Sequence, residues 1–281
     1  MSRKPKMTDE ERRAYSAQMR GELEAVMDRA YGAMVASEEF WTAVMRTAAN
    51  LTHPDRDDRS PTNCIAIAAQ CPNATHVLSS GDWRKAGRFP AKGSTSLRIW
   101  TPIKRRTEDA RETAAADGGQ REATGEAAES QGRKVSGFKA GPVFDISQTD
   151  GDAYEPPTDR LTAEAVWAVI AGADEAPDAP AECDYAVRLH LYNAALQRIS
   201  EMDAPIYGQR EAEVASAAHV AALILGVAPG PAVMPPLAGI ITQDKKPPVH
   251  ESAVRAIETG RAIARAVTTA AERRRELVVA G

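Results

Sequence analysis

The sequence is short of sulfur and of aromatic rings, and it has no long apolar run; each shortage closes off a class of protein. Cysteine occurs three times in 281 residues, as Cys64, Cys71 and Cys183, and no two of them form a CxxC pair. If Cys64 and Cys71 share a helix, their separation is about 10 Å, too far for a disulfide. A disulfide-stapled secreted fold is argued against, and reduced thiols in a cytoplasmic setting are expected. No apolar stretch reaches the roughly 20 residues of a membrane span. The opening MSRKPKMTDEERR has no apolar signal core, so neither a secretion signal nor a membrane partner is expected. Aromatics make up 5% of a chain that is 43% hydrophobic. The core must therefore be built from Ala, Val, Leu and Ile, and abundant alanine favours helix. Walker A and GxGxxG motifs are missing as well.

What the chain does have is charge in one place. Its formal net charge is -4, yet the stretch from Trp83 to Arg106 carries Arg84, Lys85, Arg88, Lys92, Arg98, Lys104, Arg105 and Arg106 with no Asp or Glu among them. A local positive run in an acidic protein points to a polyanionic partner. In Leu97 to Thr101, strand alternation puts Leu97 and Ile99 on one face and Arg98 and Trp100 on the other. A cation beside a ring on an open strand face suits single-stranded nucleic acid, phosphate to the one and base to the other. An edge strand whose Trp covers the core from outside has the same pattern. Trp83, in a turn, is either a second stacking ring or core.

Around this stretch the pattern predicts an α+β fold: N-terminal helices packed on a small antiparallel sheet, then a mostly helical C-terminal domain. Thr8 and Glu11 read as a capping box opening a helix with Met19, Leu23, Val26, Met27, Ala30 and Met34 on one face. A second helix starts near Ser37, with Trp41 in its buried stripe. Ser60-Pro61 opens a third that runs to about Gln70. Its Asn63 and Gln70 either satisfy backbone groups or line a ligand groove. Short strands are expected at His76 to Leu78, Leu97 to Thr101 and Phe138 to Ile146, with Pro142 marking an edge or bulge. Residues 105–134 hold no large apolar side chain and read as a disordered excursion between two strands. Residues 151–159 read as a linker, which gives domains at 8–151 and 160–281. In the second, Tyr185, Leu189, Tyr192, Leu196 and Ile199 recur at helical spacing. Gln209 to Leu225 reads as a small-residue helix, and Val249 to about Arg275 as a last one. His219 reads as packed or surface-exposed, and Asp145 as a strand-end hydrogen-bonding residue.

With these residues laid out, the first half resembles the N-terminal single-stranded-DNA-binding domain of ArdC-type antirestriction proteins. The resemblance lies in Phe40-Trp41, Ser60-Pro-Thr-Asn63, Gln70 with Pro72 and Ala74-Thr75, Trp83, Gly87-Arg88, Lys92-Gly93, Pro102, and Phe144-Asp-Ile-Ser-Gln-Thr149 with Gly151. Order and spacing agree over roughly residues 37–151, outside the excursion. The family usually has Tyr before the Ser-Pro; here Arg59 stands there, which removes one stacking ring. The basic run, the strand alternation and these motifs together give the expected DNA contacts: Asn63, Gln70, Trp83, Arg84, Lys85, Arg88, Lys92, Arg98 and Trp100, with Lys104 and Arg105 at the rim. The resemblance also implies a setting on a bacterial mobile element or in a phage.

In that family a zinc metallopeptidase-like domain follows, built on a HExxH helix. Here Arg210-Glu-Ala-Glu213 looks like the family's glutamate helix, and residues 236–267 are similar to its closing loop and helix. HExxH itself is absent; its best-placed counterpart is His190-Leu191-Tyr192-Asn193-Ala194. Zinc needs two His one turn apart and the chemistry needs a Glu to activate water. Leu191 cannot be that base and Ala194 cannot ligate. Three readings stand at this point: a non-catalytic single-stranded-DNA-binding protein with no cofactor and no metal; an interaction protein whose helices dock a partner and whose basic stretch binds an acidic one; and a metallopeptidase with an unseen site.

Overall fold

The computed structural model describes residues 7–52, 58–106, 133–155, 161–171, 183–202, 208–237 and 247–280. The excursion at 107–132, the loop expected at 173–180 and Pro156-Pro157 lie outside the described residues.

Helix α1 (Asp9–Met34) opens on the expected capping box. Thr8 N donates to Glu11 Oε2 at 2.7 Å, and Glu11 N donates to Thr8 Oγ1 at 3.2 Å. Met19, Leu23, Met27, Ala30 and Met34 are its buried stripe. Helix α2 (Glu38–Asn50) starts where the Ser37 hydroxyl accepts from Phe40 N at 3.1 Å. Helix α3 (Pro61–Gln70) starts where Ser60 Oγ accepts from Asn63 N at 3.3 Å. In both, a side-chain oxygen satisfies a backbone N–H that the helix itself leaves open. A short helix α4 (Ser80–Lys85) follows strand β1 (Val77–Leu78).

Strand β2 (Arg88–Pro90) pairs antiparallel with β5 (Thr149–Gly151), in the register Arg88↔Gly151 and Pro90↔Thr149. Strands β3 (Leu97–Arg106) and β4 (Arg133–Asp145) are longer than the sequence predicts, reaching into both ends of the expected excursion. Their sheet has the order β1-β4-β3. Pro142 thus stands in a central strand rather than at an edge. Strand β1 reaches only Phe144 and Asp145, so at Pro142 no ladder bond to β1 is required, and a residue without an N–H is tolerated there.

The helices α5 (Ala163–Ala171), α6 (Cys183–Ser200), α7 (Gln209–Leu225) and α8 (Pro248–Ala280) complete an α+β fold. Leu191, Ala195 and Ile199 of α6 pack into one core with Val214, Ala217 and Ala221 of α7 and Ile263, Ala264 and Val267 of α8. Gly260 lets α7 and α8 approach closely: a Cβ there would lie 2.6 Å from the Ala217 carbonyl oxygen. Among the described residues no helix is long and apolar enough to cross a membrane.

By its contacts the chain parts into two compact units. One is Met1–Leu23 with Arg98–Pro142; the other is Glu24–Leu97 with Val143–Gly281. The expected division into 8–151 and 160–281 cuts the chain elsewhere. In the larger unit, α2 and α3 pack with the C-terminal helices. Trp41, fully buried, donates from Nε1 to Ser216 Oγ of α7 at 2.9 Å. Arg261 of α8 is also buried; it donates to the Ala48 carbonyl at 2.9 Å, the Arg59 carbonyl at 2.7 Å and Thr52 Oγ1 at 2.8 Å.

Candidate nucleic-acid interface

In the smaller unit, β3 alternates as its sequence requires. Leu97 and Ile99 are buried, while Arg98 and Trp100 are part-exposed on the opposite face. The N-terminal half of α1 supplies two further residues to that face. Tyr15 OH lies 3.4 Å from Arg98 Nη2, close enough to accept its hydrogen bond. The Arg20 guanidinium stands 5.8 Å from the centroid of the Trp100 ring, within cation–π range. Two cations and two rings thus share one surface. Sequence reasoning missed Tyr15 and Arg20, because nothing local ties an exposed helical Tyr or Arg to a strand some eighty residues later. Lys104 and Arg105 continue the β3 backbone, and their side chains lie outside the described residues.

The other expected contacts belong to the larger unit, and two of them need correction. The Trp83 ring is fully buried. Its Nε1 donates to the Phe144 carbonyl at 2.8 Å, and Tyr154 meets it edge-on at a centroid distance of 5.1 Å. A ring enclosed in this way has no face to offer a base, so Trp83 is core. Arg88 is spent on the fold. Its Nε donates to Thr149 Oγ1 at 2.9 Å and its Nη2 to the Thr149 carbonyl at 2.7 Å. Its Nη1 donates to the carbonyls of Gly151 and Asp152. It staples the β2 edge to β5 and to the chain beyond it.

The paired glycines serve the same junction. Gly87 has φ +73, and a Cβ on it would collide with the Asp152 carboxylate. Gly151 has φ +137, and a Cβ there would collide with the Gly87 carbonyl. Both positions need glycine for backbone conformation and for room.

Arg84, Lys85 and Lys92 are exposed. Arg84 and Lys85 close α4, where cations suit the helix dipole, and Lys85 also pairs with Asp82 at 3.3 Å. Lys92 sits at the tip of a turn closed by Ser94 N donating to the Ala91 carbonyl at 3.0 Å, with Gly93 supplying φ +89. On α3, Asn63 is buried at the first turn, and Gln70 Nε2 donates to the Ala66 carbonyl of its own helix at 2.8 Å. Gln70 thus satisfies a backbone group, one of the two roles weighed for it.

Asp145 is buried and wholly engaged. Its Oδ1 accepts from Thr75 N at 2.8 Å and His76 N at 3.1 Å, and its Oδ2 accepts from Ser147 N and Ser147 Oγ. His219 is buried with Nδ1 2.6 Å from the Gly230 carbonyl; burial, with the Arg46 charge adding to it, pushes its pKa below the usual range. As a neutral ring, Nδ1–H donates to that carbonyl.

The residues expected from the sequence to stand where HExxH would be do not fit zinc. His190 is exposed and Leu191 is wholly buried. Ala194 lines the same shallow pocket of about 240 Å³ as His190 but has no ligating atom. Glu213 of α7 is fully buried in a bidentate pair with Arg255, at 2.7 and 2.9 Å, and also accepts from Ser252 Oγ and Gln209 Nε2. Among the described residues no group of three His, Cys, Asp or Glu side chains is placed to hold a metal ion.

No family model matches the sequence, and neither does any curated protein. Among solved structures, the metal-free crystal structure of the antirestriction protein ArdC from the R388 plasmid is similar. The identity is 16% and the TM-score 0.42, with 91% of this chain and 95% of that one covered.

Proposed function

We propose that the chain is a non-catalytic single-stranded-DNA-binding protein of the ArdC antirestriction type. The observation that carries this reading is the β3 face, where Arg98 and Trp100 stand together with Tyr15 and Arg20. The ordered short motifs over residues 37–151 support it from the sequence side. The cations would track phosphates, and each contact would release a counterion, so affinity falls steeply with salt. The Trp100 ring would stack on a base, worth about 1–3 kcal/mol and nearly indifferent to sequence. Duplex binds more weakly, because its bases are not free. Arg84, Lys85 and Lys92 are exposed, lie in the same basic run, and would add to its field. Arg88 and Trp83 leave the list of contacts for the reasons given above. The non-catalytic reading rests on Leu191 and Ala194, which supply neither a base nor a ligand.

The test is an anisotropy titration of a single-stranded oligonucleotide against its duplex over a range of salt. Trp100→Ala is expected to weaken binding about tenfold with the salt slope unchanged. Arg98→Ala is expected to weaken it and flatten the slope by about one unit. If both variants fold and bind as the parent does, the reading fails.

A further inference from the structure

We propose that the pocket between α5, α6 and α8 is a binding site for a small carboxylic acid with an apolar tail; the proposal is independent of the DNA-binding reading. The pocket measures about 240 Å³, and its residues all belong to the larger unit. Its floor is Ile263 and Val267 of α8, both buried in the helical core. Its walls are Val169 and Ile170 of α5 and Ala194 of α6, part-buried against that same core. Among the described residues its polar side chains are His190 and Arg198, and no Asp or Glu lines it. No residue of α7 lines it either, so the buried Glu213 takes no part.

The sequence places the two polar groups. His190, Ala194 and Arg198 recur every four residues, so they share one face of α6. Eight residues of helix set His190 and Arg198 about 12 Å apart along the axis. The one side chain between them on that face is the Ala194 methyl, which leaves the space above the floor open. The result is a short apolar slot with a hydrogen-bond donor at each end.

Charge and size choose the ligand. Apolar floor and walls favour a tail that leaves water there. Arg198 stays charged at any physiological pH, and its planar fork of donors matches a carboxylate. His190 has an N–H to donate in either tautomer. Among the described residues neither side chain has a hydrogen bond or ion pair. Arg88, Arg255 and Arg261 differ, since their donors are spent on the fold. With no carboxylate in the lining, a cationic ligand finds no partner. A bare phosphate would meet the arginine and leave the apolar floor wet. The 240 Å³ equals the volume of about eight waters, so the pocket takes roughly ten non-hydrogen atoms, fewer than a drug-sized molecule. Octanoate has that size and that chemistry.

The experiment titrates the full chain with octanoate, followed by saturation-transfer NMR on the ligand, with hexanoate, 1-octanol and acetate beside it. Octanoate is expected to bind. Hexanoate, two methylenes shorter, should bind about tenfold more weakly. Octanol, with the tail but no charge, should also bind about tenfold more weakly, and acetate should not bind measurably. Arg198→Ala is expected to bring octanoate down to the level of octanol while octanol itself is unchanged. Ala266, at an exposed position on the rim, gives a second variant: Ala266→Phe fills the slot and should abolish both, at an unchanged melting temperature. If the parent does not bind octanoate, or binds it no better than octanol or acetate, the proposal falls. It falls too if Arg198→Ala keeps the preference for octanoate, or if folded Ala266→Phe binds octanoate as the parent does. None of these outcomes touches the DNA-binding reading, whose residues lie elsewhere.

Discussion

Arg88 shows how a residue can carry the mark of one role and perform another. In the sequence it is a cation after a turn glycine, inside a basic run, in a motif of the resembling family. In the structure its donors meet Thr149, Gly151 and Asp152, whose carbonyls and hydroxyl lie some sixty residues further on. No local pattern reports a partner that distant. Trp83 misleads in the same way, since an exposed and a buried Trp read alike in a short turn, and only the Phe144 carbonyl and the Tyr154 ring decide between them. Asp145 was legible, because a carboxylate closing a strand before Ser-Gln has backbone N–H groups within reach. The consequence is measurable. Arg88→Ala is expected to lower stability by about 1–3 kcal/mol, as the hydroxyl and carbonyl of buried Thr149 lose their charged donors, read as a lower denaturant midpoint at unchanged slope. Arg84→Ala, at an exposed position, should stay within about 0.5 kcal/mol. Equal stability for the two would mean that the Arg88 staple contributes nothing.

At the scale of elements, starts were more legible than faces. Thr8, Ser37 and Ser60 each cap the helix the sequence predicts there, because a cap is a contact within three residues. Gly226, with φ +77, ends α7 for an equally local reason. The face of α6 is different. The sequence offers two apolar stripes, and Tyr185, Leu189 and Leu196 of the expected one lie on the outer face. Tyr185 is 57% and Leu189 48% exposed, while Val187, Leu191, Ala195 and Ile199 are buried. The phase is set by α7 and α8, whose small residues admit the slimmer stripe, and this information is not in α6. Of the expected set, Ile199 turns fully inward and Tyr192 packs half-buried against the same core. Two substitutions separate the faces. Leu189→Glu is expected to change stability by less than about 0.5 kcal/mol. Leu191→Ala is expected to cost about 2–5 kcal/mol through the cavity it leaves. A large loss at Leu189 in urea denaturation would show that the sequence had the phase right.

At the scale of the whole molecule, the resemblance and the contacts divide the chain differently. Motif order sets residues 37–151 apart as the proposed DNA-binding half. The contacts instead tie Glu24–Leu97 to Val143–Gly281. The ties are specific. Trp41 Nε1 has its acceptor in Ser216 of α7. The carbonyls of Ala48 and Arg59 have their donor in Arg261 of α8. Tyr31 OH meets His250 Nδ1 at 3.4 Å. A fragment ending at residue 151 would strip the partner from each of these and bare a ring that is wholly buried. Burying such a side chain contributes about 3 kcal/mol, and leaving a buried polar group unpaired costs about 1–3 kcal/mol. Against the 5–15 kcal/mol that typically holds a domain folded, those losses together are decisive. The fragment 1–151 is therefore expected to show no cooperative melt by circular dichroism and to bind single-stranded DNA poorly for want of a fold, while the full chain carrying Trp100→Ala melts normally. A sharp thermal transition in the fragment, with parental affinity for the oligonucleotide, would mean that residues 8–151 stand alone and that the C-terminal helices are dispensable to the interface.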